Sequence, residues 1–109
     1  MARSRLDLDA ILRTLITDPE TETMTGKVYF QPPNNLSMVY PAIVYERETS
    51  RSQFADNLPF ANTKRYTVTV ITEDVDSDIP DKVAALPMST HNRFFISGQL
   101  NHDVFNVYF

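Results

Sequence analysis

Three aspartates alternate with other residues at Asp74, Asp76 and Asp78. Carboxylates at this spacing are typical of the first ligands in an EF-hand calcium loop. Such a loop also needs a glycine at its sixth position and a bidentate glutamate at its twelfth. Here those positions hold Ile79 and Ala85. We therefore interpret the run as an acidic turn that leads into a helix N-terminus, where negative charge is favourable.

The two histidines, His91 and His102, are of residue types that can serve as metal ligands or as catalytic bases. They do not form a closely spaced pair, and the sequence has no cysteine to complete a zinc site. His102 is followed by Asp103, but neighbouring residues on a strand point to opposite faces. We therefore interpret His102 as a residue beside a turn that makes a structural hydrogen bond.

Other catalytic signatures are missing from the sequence. Gly26 and Gly98 are its two glycines, so no glycine-rich phosphate loop can be built, and there is no Gly-x-Ser-x-Gly nucleophile motif. Glu46 and Glu48 would share one strand face and could form a glycosidase-type acid pair, but a deep cleft is rare in so small a domain. The sequence predicts no enzyme, no metal site and no cofactor.

Composition limits the class of protein further. The chain has 109 residues, of which 42% are hydrophobic and 22% charged, so we expect one globular domain over residues 1–109. No apolar run approaches the roughly 20 residues of a membrane helix, and the charged residues after the basic N-terminus do not fit a signal peptide. We expect a soluble protein that is not exported and does not bind membranes.

The net charge is −4 at neutral pH, whereas proteins that neutralise phosphates carry a basic excess. The twelve Phe and Tyr residues could in principle form a base-stacking platform, but no RNA-binding signature of clustered basic, glycine and aromatic residues accompanies them. We expect the run Phe94, Phe95 and Ile96 to be core plus sheet edge.

Periodicity indicates seven elements. An amphipathic helix is predicted within residues 4–18, where apolar residues recur from Leu8 to Ile16 and Pro19 follows. A short helix is predicted over 79–86, and strands are predicted over 27–31, 42–50, 64–73, 93–97 and 102–109. The order α-β-β-β-α-β-β favours an α+β fold. Its mixed, mostly antiparallel sheet would have about four to five strands, with two helices on one face.

Residues 51–62 do not fit this pattern. The segment has no clean period, yet Phe54, Leu58 and Phe60 make it too apolar for an ordinary solvated loop. A connection this long without secondary structure is unusual in a compact domain. We expect it to need a partner surface.

Several segments together resemble the small tail-terminator or tail-completion proteins of the neck of long-tailed bacteriophages. The resemblance runs from about residue 38 to the end of the chain and depends on the order and spacing of these segments. They are 40–46 (YPAIVYE), 55–57 (ADN), 65–71 (RYTVTVI), 74–80 (DVDSDIP) and 100–109 (LNHDVFNVYF).

The resemblance implies a structural virion protein in the tail or neck, assembled in the host cytoplasm. Such proteins form a homo-oligomeric ring, usually a hexamer, at the head-proximal end of the tail. The ring ends polymerisation of the tail tube protein, meets the head-closure or connector protein, and lets genomic DNA pass through its lumen without specific binding. An acidic chain agrees with a channel along which DNA slides.

Two sets of site residues follow from this hypothesis. We expect a subunit or tube interface in the segment 51–62, and acidic residues that line the lumen. The expected interface residues are Phe54, Asp56, Asn57, Leu58 and Phe60, and the expected lumen residues are Glu46, Glu48, Glu73, Asp74 and Asp76.

Two alternatives to a tail terminator stay open. One is a head-side connector or stopper protein of the same neck, which would differ in ring size and binding partner. The other belongs to a different class, a small nucleic-acid-binding α+β module, which would need a salt-dependent affinity for DNA or RNA.

Overall fold

The computed structural model describes residues 5–17, 20–23, 25–33, 37–48 and 65–109. These residues form two helices and five strands in the predicted order. The elements are α1 (Arg5–Leu15), β1 (Lys27–Phe30), β2 (Ala42–Arg47), β3 (Arg65–Thr72), α2 (Ile79–Ala84), β4 (Ser89–Ser97) and β5 (Leu100–Tyr108).

The five strands form one mixed sheet with the spatial order β1-β2-β3-β5-β4. β1 is parallel to β2, and the other three pairings are antiparallel. The predicted α+β class and the mixed, mostly antiparallel sheet are therefore confirmed. β1 and β4 are the two edges of this sheet, so among the described residues each has a strand neighbour on one side only.

One hydrophobic core lies between the helices and one face of the sheet, which we call the helix side. The predicted stripe of α1 places Leu8, Leu12 and Ile16 in this core, and α2 adds Ile79 and Val83. Burying an aliphatic side chain of this size stabilises a fold by about 1.5–3 kcal/mol. The sheet contributes every second residue of its central strands, among them Val68, Val70, Phe105 and Val107. We call the opposite face of the sheet the open side.

A polar network fastens α1 to β2. The Tyr45 side chain is fully buried, and its hydroxyl donates to Asp9 Oδ2 at 2.6 Å while accepting from Arg5 Nη1 at 3.1 Å. Arg13 pairs with the same Asp9 carboxylate. Burial, and then the hydrogen bond to Asp9, raise the pKa of Tyr45 to about 12.

The Asp9 carboxylate responds in the opposite direction. Burial alone would raise its pKa, but hydrogen bonds from Tyr45 and Arg13 outweigh that effect. The pKa of Asp9 is therefore lowered below its usual value of 3.8. The tyrosine stays protonated and the aspartate stays ionised, which keeps this network intact near neutral pH.

The entry into β1 is also tightly packed. Thr25 donates from its backbone N and from its hydroxyl to the Ile16 carbonyl, each at 2.8 Å. A Cβ built on Gly26 would lie 1.9 Å from the Pro41 carbonyl oxygen. Only glycine therefore fits at position 26 without moving backbone.

Several predicted boundaries differ from the structure. α1 ends at Leu15 and α2 at Ala84, short of the expected 18 and 86. β4 begins at Ser89, four residues before the predicted start, because the polar residues of its first half pair with β5 through backbone atoms and show no apolar alternation.

Candidate interaction surface

The acidic residues expected to line a lumen fall into two groups in the structure. Glu46 lies opposite Thr67 near the start of β3, whereas Glu73 directly follows the end of that strand. The six residue steps from Thr67 to Glu73 correspond to about 20 Å of strand. Glu46 and Glu48 therefore lie at one end of the sheet, and Glu73, Asp74 and Asp76 lie at the other.

Glu48 is charge-compensated within the chain. Its Oε2 lies 2.6 Å from Arg65 Nε, although the two atoms lack the alignment of a hydrogen bond. The Glu48 backbone N also donates to the Arg65 carbonyl at 3.0 Å. The Arg65 guanidinium therefore offsets the negative charge of Glu48. The other four expected lumen residues are exposed to solvent, namely Glu46, Glu73, Asp74 and Asp76.

The aspartate run forms the expected acidic turn before a helix. Asp74 Oδ1 accepts from the Asp76 backbone N at 2.9 Å, and α2 begins immediately after Asp78. The Asp78 side chain makes no capping hydrogen bond; Ser77 Oγ accepts from the Ile79 N instead, at 3.3 Å. Among the described residues, no three His, Cys, Asp or Glu side chains are grouped so as to hold a metal ion.

The acidic turn borders an open depression of about 760 Å³ between the end of α1 and the start of α2. Its wall includes Ile16, Pro41, Thr72 and Lys82. Lys82 extends toward Asp78, with 3.6 Å between Nζ and Oδ2. The depression is wide and open to solvent.

The histidines occupy different environments. His102 Nδ1 lies 3.0 Å from the Leu100 carbonyl, so the predicted structural hydrogen bond near a turn is confirmed. His91 Nε2 lies 3.2 Å from Asp103 Oδ1 on the neighbouring strand, a pair that sequence analysis missed. The pairing depends on a register shift between His91 and Arg93, which sequence spacing does not reveal.

Three consecutive apolar side chains of β4 are exposed. The exposed fractions are 46% for Phe94, 37% for Phe95 and 65% for Ile96. The expectation that this run contributes to the core is wrong, although its position on a sheet edge is correct. β4 is the outermost strand, and α2 has only six residues.

These three side chains lie on both faces of the sheet. Phe94 is opposite Asp103, which is opposite Val70 of the core, so Phe94 and Ile96 lie on the helix side. Phe95 lies on the open side, stacked on His102 with 4.6 Å between ring centroids. Arg93 covers the Phe95 ring, its guanidinium carbon 5.3 Å from the centroid. The strand is therefore apolar on each face.

The backbone of β4 is open along the same stretch. Gly98 and Gln99 both have positive φ, at 58° and 64°, and form a two-residue type I′ hairpin turn. Ser97 and Leu100 then form the hydrogen-bonded pair next to the turn, which directs the N–H and C=O groups of Phe94 and Ile96 away from β5. We call this stretch, residues 94–97, the open edge.

The open edge lacks the devices that usually protect an edge strand. Proline, lysine and inward-pointing charges discourage pairing with another chain, and none occurs in Phe-Phe-Ile-Ser at 94–97. The bulge at His91/Arg93 lies before this stretch. A sequence signal for the open edge does exist, because three consecutive apolar residues break the alternation of a half-buried strand.

The expected interface residues, all five of which lie outside the described residues, are Phe54, Asp56, Asn57, Leu58 and Phe60. Within the described part of the chain, no helix is long and apolar enough to cross a membrane. Comparison of the chain with protein-family models, curated proteins and solved structures gave no match. The structural argument for function therefore depends on the surface itself.

Proposed function

We propose that this protein is a structural subunit that assembles with copies of itself, and that the assembly is a ring at the head-proximal end of a long-tailed phage tail. The observation that carries the proposal is the open edge, where exposed apolar side chains coincide with backbone groups that no strand in the described part of the chain pairs. A surface of this kind normally becomes covered by another chain.

The phage role comes from the sequence resemblance. Four of its five segments fall on β2, on β3, on the acidic turn with the start of α2, and on β5, and the fifth, 55–57, lies outside the described residues. These elements form the centre of the sheet and the turn beside it. The resemblance therefore concerns the framework of the domain, and the open edge adds a separate, physical reason for self-association.

The proposed assembly has the partners expected of such a ring. Six copies would end the tail tube, contact the tube protein on one side and the head-closure protein on the other, and surround the genomic DNA. The exposed carboxylates of Glu46, Glu73, Asp74 and Asp76 would supply negative charge along the lumen. Negative charge repels the DNA backbone and so opposes tight binding.

The test is to measure the mass of the purified protein and to image it by negative stain, alone and mixed with tail tubes. We expect rings of six copies that bind one end of the tubes and stop their elongation. A protein that stays monomeric with tubes present would refute the proposal. A ring of twelve that binds a portal and ignores tubes would favour the head-side connector instead.

A second candidate function has one observation in its favour. Arg93, Phe95 and His102 form a continuous stack on the open side of the sheet, and aromatic side chains beside cations can bind single-stranded nucleic acid. The net charge of −4 opposes this function. A salt-dependent affinity for a single-stranded oligonucleotide that is lost in Phe95→Ala would support it, and no affinity at low salt would eliminate it.

A further inference from the structure

The sheet has a second edge at β1. Its outward-pointing backbone groups have the same spacing as those of the open edge on β4. Lys27 N donates to the Pro41 carbonyl at 3.1 Å, and Gln31 N donates to the Tyr45 carbonyl at 3.0 Å. In a parallel pair these contacts alternate along the strand. The backbone groups of Val28 and Phe30 therefore point away from β2, toward the outside of the sheet.

Each edge thus offers two residues whose backbone N–H and C=O groups point out of the sheet, and one residue separates the two. They are Val28 and Phe30 on β1, and Phe94 and Ile96 on β4. Within the described part of the chain, no hydrogen bond from a turn or loop backbone reaches these four residues. A strand edge with this spacing can accept one short antiparallel partner strand.

The directions of the two edges also match. Passing from β1 to β4 across the sheet crosses one parallel pairing and three antiparallel pairings. β1 and β4 therefore run in opposite directions. A second copy placed beside the first in the same orientation would bring its β1 antiparallel to β4, so the sheet would continue from copy to copy.

The faces of the sheet match as well. Val28 belongs to the core on the helix side, and Phe30 packs against it. Phe94 and Ile96 also lie on the helix side, as their register with β5 shows. Opposite residues in an antiparallel pair share a face, so the helices of adjacent copies would lie on the same side of the continued sheet.

Leu6 is an exposed apolar residue in the first turn of α1. Its side chain is 65% exposed on α1. The preceding residue, Arg5, lies over Phe30, with 4.4 Å between the guanidinium carbon and the ring centroid. The first turn of α1 is therefore close to the position that Phe94 of an adjacent copy would occupy. Leu6 and Phe94 would cover each other there.

We propose that the open edge of one copy pairs antiparallel with the β1 edge of a second copy. Phe94 would lie opposite Phe30 of the partner subunit, and Ile96 opposite Val28 of the partner subunit. The inference rests on the proposed function in one respect, namely that copies of this chain associate. It adds which two edges meet, and it makes the contact heterologous, because each copy uses two different surfaces.

The first experiment is a charge exchange across the contact. Phe94→Lys and Leu6→Glu, each made alone, are expected to weaken self-association at least about tenfold in sedimentation equilibrium. The combined variant is expected to recover most of the loss, because the opposite charges face each other between copies. Val75→Lys is the matched control, since Val75 is 70% exposed in the acidic turn, away from both edges.

The second experiment uses the absence of cysteine from the chain. Leu6→Cys protein is mixed with Phe94→Cys protein and treated with a short bis-maleimide, with Val75→Cys as the control partner. We expect a cross-linked pair only when the Leu6 and Phe94 variants are mixed. Circular dichroism of each variant checks that the substitution of an exposed residue leaves the fold unchanged.

Three results would overturn the inference. One is wild-type assembly by Phe94→Lys. Another is cross-linking of Phe94→Cys with itself and not with Leu6→Cys, which would mean that two β4 edges pair symmetrically. The third is a wild-type chain that stays monomeric at all concentrations, which would assign the open edge to a different protein.

The two proposals can fail separately. If the native chain forms rings on tail tubes and both charged variants do so equally well, the edge assignment is wrong and the phage role stands. If the charge exchange behaves as expected but the assemblies never bind tubes, the edge assignment stands and the phage role is wrong.

Discussion

The core packed against α1 and the edge strand β4 differ in how their polar and apolar groups are used. Near α1, Tyr45 is fully buried and its hydroxyl is satisfied by Asp9 and Arg5. On β4, Phe94 and Ile96 face solvent. The contrast teaches that the buried core supplies most of the stability of the fold. The β4 edge is therefore available for association at little cost to folding.

The largest test of this comparison makes the same kind of substitution once in the core and once on β4. Phe105→Ala removes a ring that is 1% exposed and should lower the free energy of unfolding by about 3–5 kcal/mol. Phe94→Ala removes a ring that is 46% exposed and should cost less than about 1 kcal/mol in the monomer. Urea denaturation measures both, and equal losses would contradict the division.

The two glycines give a second test. Gly26→Ala puts a Cβ against the Pro41 carbonyl and should cost about 3 kcal/mol, because backbone has to move. Gly98 has φ of +58° and open space around it, so Gly98→Ala should cost only the left-handed strain of about 1 kcal/mol. Thermal unfolding of both variants measures the difference, and a larger loss at position 98 would be the opposite of what we expect.

The smallest test is the pH dependence of the Tyr45 network. The folded pKa of Tyr45, about 12, lies above the ordinary value of 10.0, so the folded chain holds this proton more tightly than the unfolded chain. The stabilisation is complete below pH 10 and is lost as the pH rises to 12. The loss should reach about 2 kcal/mol.

Tyr45→Phe is the control for that measurement. It lacks the titrating hydroxyl, so its stability should fall less than that of the native chain over the same alkaline range. Guanidinium denaturation at a series of pH values compares the two proteins. Parallel curves would mean that Tyr45 does not couple folding to pH.

Regular periodicity made most of the fold predictable from sequence. Leu8, Leu12 and Ile16 follow the helical period, and Tyr66, Val68 and Val70 follow the period of a strand, so α1 and β3 were found. In each case the buried residues recur at a regular spacing within a single element. Side chains with that property identify an element before any of its neighbours are known.

Features that depend on two elements at once could not be predicted. The His91–Asp103 pair requires the shifted register of β4 on β5, and the Asp9–Tyr45 contact joins residues 36 positions apart. The exposure of Phe94 was missed because it depends on which strand is outermost and how far α2 extends. An apolar run has the same sequence whether a helix covers it or not.

The opposite directions of β1 and β4 have a consequence for the size of any assembly built through them. A contact that joins two different edges always leaves one unused edge at each end of a row, so addition of copies has no built-in end. The row closes into a ring only when a whole number of equal rotations between adjacent copies adds up to a full turn. For six copies that rotation is about 60°. The twist of the sheet would then set the number of subunits.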